Sequence, residues 1–166
     1  MKNILCNRWL RKLSGYEYYF VWKSTKNNNN LNNDIINSIL PMVRNTAIKS
    51  INDLLLYKIF VKHNNKFVNN GFYKISEQNS IYIDNIMKCL NEKFITQTDA
   101  IVYLCLLLCK ENNITPTLSD LKFMLNMNKN NISKHIHCLY NKQIINIVKE
   151  KGFYGQWCNI YQLNQI

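Results

Sequence analysis

Between Lys129 and His137 the chain sets Lys129, Asn130, Asn131, Ser133, Lys134 and His137 close together, with no carboxylate among them. Side chains of these types bind nucleic acid. Lysine contacts phosphates or guanine edges, and asparagine can bond adenine through two hydrogen bonds. The spacing of the apolar residues in the same stretch says how the polar set is displayed. Ile132, Ile136 and Leu139 recur at four and three residues, which predicts a helix from about Lys129 to Lys142 with one buried stripe. The polar set then occupies the remaining face. Its members near the helix N-terminus are the ones best placed to reach base edges.

Other chemistries find less support. Metal-dependent phosphodiester cleavage wants clustered carboxylates. Residues 1–75 offer only Glu17, Asp34 and Asp53, dispersed, with His63 as their one histidine. Tyr16, Tyr18 and Tyr19 could supply a nucleophile, but no His-x-His ligand set accompanies them. The one such pair, His135 and His137, lies in the predicted helix. Cys138 beside that pair matches no standard zinc spacing. The six cysteines form no Cys-x-x-Cys pair and read as reduced, mostly buried thiols. No catalytic residue, metal or cofactor is expected, and no small-molecule ligand is evident.

A helix that presents such a face needs partners on its apolar side. Asn128 is a good N-cap for it, and Asn126 to Asn128 form a turn. Thr117 to Leu125 read as a preceding helix, with Leu118, Leu121 and Leu125 facing inward. Before that, Thr96 and Asp99 have capping-box spacing and open a nearly all-apolar helix from Gln97 to Lys110, the expected core of this part. Ile81 to Asn91 show helical spacing, and Phe72 to Ile75 a short strand. After the polar helix, Ile145 to Lys149 and Trp157 to Leu163 read as two strands. Between them Glu150 to Gln156 form a tip with Gly152 and Gly155, and Lys149 and Lys151 place charge there.

The first part is harder to read. Gly15 to Ser24 alternate, with Tyr16, Tyr18, Phe20 and Trp22 on one face, and predict a strand. Its aromatic face is either core or a platform for stacking bases, with core the favoured choice. Thr25 to Asn33 is a polar loop. Ile35, Ile36, Ile39 and Leu40 fit a short helical stretch ended by Pro41. A helix from about Met42 to Phe60 follows, and His63 to Gly71 is rich in turn residues. The boundary between the two halves is placed at about residue 71.

Composition bounds the partners. The chain has 166 residues and a net charge of +11. Residues 1–75 hold twelve Lys/Arg and three Asp/Glu, residues 76–120 three and six, and residues 121–166 six and one. Basic charge sits at both ends, and excess charge of this size bears on association rather than on fold. The longest apolar run, Ala100 to Cys109, is about half the roughly 20 residues that a membrane-spanning helix needs. The N-terminus lacks the apolar core and cleavage site of a secretory signal, so a cytoplasmic protein is expected.

The stretch LNMNKNNISKHIHCLYNKQIINIVKEKG resembles the helix-turn-helix, recognition helix and wing of winged helix-turn-helix DNA-binding proteins. The likeness extends over about Ile95 to Leu163, and the lead-in from Phe72 resembles that of plasmid and phage replication or regulatory proteins. It implies an α+β fold, mainly α: a C-terminal winged helix-turn-helix domain over residues 72–166, preceded by a small mixed α/β region over residues 1–71. It implies that Lys129, Asn130, Asn131, Ser133, Lys134 and His137 face the major groove, with Lys149 and Lys151 as wing contacts. Asn126 stands where the family commonly has Gly. His135 replaces a small, half-buried residue, which makes it a packing residue rather than a base reader. The wing tip is poor in Arg, which argues against strong minor-groove insertion.

The function expected is sequence-specific binding of double-stranded DNA by a homodimer, in plasmid- or phage-type replication, transfer or transcription control. The alternatives are a winged helix used as a protein-interaction module, or a nucleic-acid-processing activity in the N-terminal half.

Overall fold

Residues 99–109 are buried without a break. A helix in that position has no solvent face, so other elements must cover it on every side. A computed structural model describes residues 15–28, 30–32, 44–70 and 75–165. It contains the helices α1 (Gly15–Lys26), α2 (Arg44–Leu56), α3 (Glu77–Asn91), α4 (Gln97–Glu111), α5 (Leu118–Leu125) and α6 (Lys129–Asn141). The strands are β1 (Asn30–Leu31), β2 (Phe60–His63), β3 (Lys66–Asn69), β4 (Ile145–Lys151) and β5 (Trp157–Leu163). The described chain is thus α+β and mainly helical. It divides into two compact units, one over Tyr16–Ser80 and one from Ile81 onward.

In the second unit α4 is the buried helix. It contacts α5, α6 and β5, and α6 also contacts α5 and β4. Both α4 and α5 begin with a capping box. Thr96 N–H donates to Asp99 Oδ2 at 2.9 Å, and Asp99 N–H donates back to Thr96 Oγ1 at 3.2 Å. Thr117 and Asp120 repeat the arrangement at 2.9 and 3.2 Å. The spacing predicts the first box. At the second, Thr117 is the cap and not the first helical residue. Asn126 ends α5 in the left-handed conformation, φ 48°, and Asn128 caps α6 by accepting from Asn131 N–H at 2.8 Å. β4 and β5 pair antiparallel from Ile145↔Leu163 to Lys151↔Trp157.

The first unit departs from the sequence expectation. Gly15 to Ser24 lie in the helix α1, not in a strand. The reason is burial. Glu17, Tyr18, Tyr19, Phe20, Val21, Trp22 and Ser24 are all buried, on every side of the helix. A segment enclosed all round has no polar face to set its period, and an apolar run of that kind does not distinguish strand from helix. The aromatic side chains described there are core, as favoured: Trp22 Nε1 donates to Ser80 Oγ at 3.0 Å, and Tyr19 stacks tilted on Trp22 at 5.3 Å between centroids.

The helix expected to run to Phe60 stops at Leu56, and Phe60 begins β2. The turn-rich stretch after it is mostly strand. β2 and β3 form a hairpin in which only Asn64 and Asn65 turn, with φ of 45° and 61°. Two positive φ values at the centre of a two-residue loop match the twist of the flanking strands, and Asn tolerates them. β1 adds to β3, giving the antiparallel order β1-β3-β2. The expected helical stretch around Ile35 to Leu40 lies outside the described residues, as does most of the strand expected at Phe72 to Ile75.

Candidate nucleic-acid interface

The buried face of α6 is Ile132, Ile136 and Leu139. A residue on a helix lies about 100° from the next, so Asn130, Lys134 and His137 fall on the side away from that face. Lys129 and Ser133 flank them on one side and Asn131 on the other. Lys129, Asn130, Asn131, Lys134 and His137 are exposed, and Ser133 is half-buried. The six residues singled out on this helix therefore share its outer surface. Lys142, at the C-cap, does not join them. Its ammonium donates to the Phe94 carbonyl and sits 4.9 Å from the Phe94 ring centroid.

His135 and His137 diverge. His137 is exposed, whereas His135 turns inward and its Nδ1 lies 2.8 Å from Asp99 Oδ1. Cys138 Sγ donates to the other carboxylate oxygen at 3.6 Å. Burial pushes the Asp99 carboxyl up, but hydrogen bonds from the Thr96 backbone, His135 and the Thr96 hydroxyl outweigh it and hold the group below its ordinary value. Burial, followed by the nearby Asp99 charge, raises the Cys138 thiol. One carboxylate thus caps α4 and fixes the inner side of α6. The outer side, from Asn130 to Lys134 and His137, takes no part in these contacts.

Lys149 and Lys151 are exposed on the hairpin. Lys149 pairs with Asn159 and Lys151 with Trp157, and these four residues share one face of the ribbon. The same face continues to Ile145 and Leu163 at the base. The lysines stand on its outer half. Lys151 Nζ lies 5.6 Å from the centroid of the Trp157 ring. An open groove of about 590 Å³ runs beside it, lined by Thr117, Leu118 and Ser119 of the α5 start and by Lys151, Trp157 and Asn159 of the hairpin.

The sequence expectation placed lysines on the hairpin but passed over its aromatic residues. Phe153, Tyr154 and Trp157 are 97%, 88% and 66% exposed. The signal was available in Gly-Phe-Tyr-Gly. Aromatic residues between two glycines at a hairpin tip have no core to enter.

No family model, no curated protein and no solved structure matches this chain. The residues themselves must therefore carry any functional conclusion.

Proposed function

We propose that this protein binds double-stranded DNA, with its C-terminal unit acting as a winged helix. In this reading α4, α5 and α6 form the three-helix body, α6 enters the major groove and the β4–β5 hairpin is the wing. The observation that carries it is the division of α6. Its inner side is committed to Ile132, Ile136, Leu139 and the His135–Asp99 pair. Its outer side holds two lysines, two asparagines, a serine and a histidine, with no acidic residue anywhere in the helix. Cations and amides in one rigid row are what phosphate positioning and base readout require. The Lys149 and Lys151 pair on the hairpin supplies a second, backbone-directed contact.

The partner is read as DNA rather than protein because the outer face of α6 is polar and cationic, whereas the core of a protein interface is depleted in charge. The setting would be replication, transfer or transcription control of the plasmid or phage type. Fluorescence anisotropy with duplex fragments, at low and at physiological salt, tests the reading. Binding should weaken steeply with salt, by about 0.9 in log affinity per log unit of salt for each phosphate neutralised. Absence of binding at low salt rejects it.

A further inference from the structure

The hairpin apex is built from the wrong residues for a solvent turn. Gly155 N–H donates to the Gly152 carbonyl at 2.9 Å, which closes a four-residue turn with Phe153 and Tyr154 at its centre. Gly152 N–H donates to the Gln156 carbonyl at 2.7 Å and locks the base of that turn. Gly155 takes φ +77°, open to glycine and costly to other residues. The central positions of such turns usually hold small polar residues. Here two aromatic rings occupy them, almost wholly exposed. They meet edge to face, 5.3 Å apart and at 89°, so ring faces remain free. Trp157 stands just below, flanked by Lys151.

Aromatic rings offered to water beside ammonium groups fit a partner that has both flat apolar faces and anionic charge. Nucleic acid has both, but an intact duplex hides the base faces within its stack. Only an unpaired base presents a face to which a ring can stack. We infer that the hairpin tip is a stacking platform for unpaired bases, so that the preferred ligand is duplex DNA adjoining a single strand. The inference rests on the DNA-binding reading above and narrows its substrate. Lys149 and Lys151 would hold the backbone of the emerging strand while Phe153 and Tyr154 take its bases. A protein partner fits the tip less well, because the shaft beneath it carries two lysines against the single Glu150.

The test uses the full chain, a blunt random-sequence duplex, and the same duplex extended by a single-stranded tail, compared by anisotropy at low salt. The tailed duplex should bind tighter by roughly tenfold, because stacking tolerates any base sequence. The Phe153→Ser/Tyr154→Ser double variant should lose that preference and bind the blunt duplex as before. Phe153→Tyr/Tyr154→Phe keeps both rings and should retain the preference. Circular dichroism checks that each variant is folded. Equal affinity for the two ligands, or a preference that survives the serine pair, overturns the inference and leaves the role of α6 standing. Failure to bind either ligand overturns both. A serine pair that alters sedimentation but not the preference makes the tip a contact between copies, which also overturns it.

Discussion

Asp99 accepts from Thr96 at 2.9 Å and lies 2.8 Å from His135 Nδ1, so a single carboxylate links the start of α4 to the inner side of α6. An ionised carboxylate can only accept, so the pair selects the His135 form that carries hydrogen on Nδ1. Because its folded value is depressed, Asp99 contributes stability above the ordinary carboxylate value of about 3.9, and that contribution is lost as pH falls through the depressed value. Asp99→Asn should cost roughly 1–3 kcal/mol near neutrality. It should also flatten the acid limb of stability, read by urea unfolding at a series of pH values from 5 downward. Identical acid limbs in both proteins would show that another carboxylate dominates. On the outer side of α6, Lys134→Ala should weaken DNA binding by roughly 1–3 kcal/mol if the lysine reads a base. Unchanged affinity in an anisotropy titration removes Lys134 from the interface.

Helix ends show how a chain with only four glycines terminates its elements. α2, α3, α4 and α6 all stop in the same way. The residues Lys58, Lys93, Asn113 and Gln143 take φ of 57°, 59°, 54° and 58°. The N–H of the following Ile59, Phe94, Ile114 and Ile144 reaches back to the carbonyls of Leu54, Cys89, Cys109 and Leu139, at 2.8–3.0 Å. This is the Schellman arrangement, in which glycine is the usual left-handed residue and an apolar residue follows. Side chains other than glycine are strained there. Gln143→Gly should therefore stabilise the protein by about 0.5–1 kcal/mol, seen as a higher urea midpoint at unchanged slope. A lower midpoint would mean that the side chain earns its place through contacts. The helix starts were easier to read than these ends, since Thr96/Asp99 and Asn128 carry their signal in residue type. The ends carry theirs in backbone conformation, which Lys and Gln do not advertise.

At the scale of the molecule, the charge of +11 is unevenly divided, with basic ends and a mildly acidic middle. Among the described residues no helix is long and apolar enough to cross a membrane. In the proposed DNA-binding reading, a single winged helix would cover few base pairs, and paired half-sites are the usual way to enlarge the footprint. The protein should therefore sediment as a homodimer, at least when bound to DNA. A protein that saturates DNA as a monomer in sedimentation velocity would remove the dimer from the proposal. The two compact units differ in how legible they were. From α4 to β5 every expected element is present to within a few residues: α6 shows a visible period, and the fully buried α4 is marked by its capping box and its length. In the first unit the enclosed α1 had no such period.

The sequence alone determined the polar row on α6, its apolar stripe, the capping boxes' first example and the two strands that follow, because periodicity and cap chemistry are local. It also favoured core packing for His135 and for the aromatic residues of α1. Tertiary structure decided what local chemistry could not. It turned Gly15 to Ser24 into a helix, since in a segment enclosed on all sides the alternation of residue types does not set the backbone period. It gave His135 its partner in Asp99, 36 residues away. It tied Lys142 to Phe94 and so took it out of the cationic surface. And it left Trp157 in water below the hairpin tip, because whether a strand aromatic is buried depends on what folds over it, whereas the glycines on either side of Phe153 and Tyr154 already signalled their exposure.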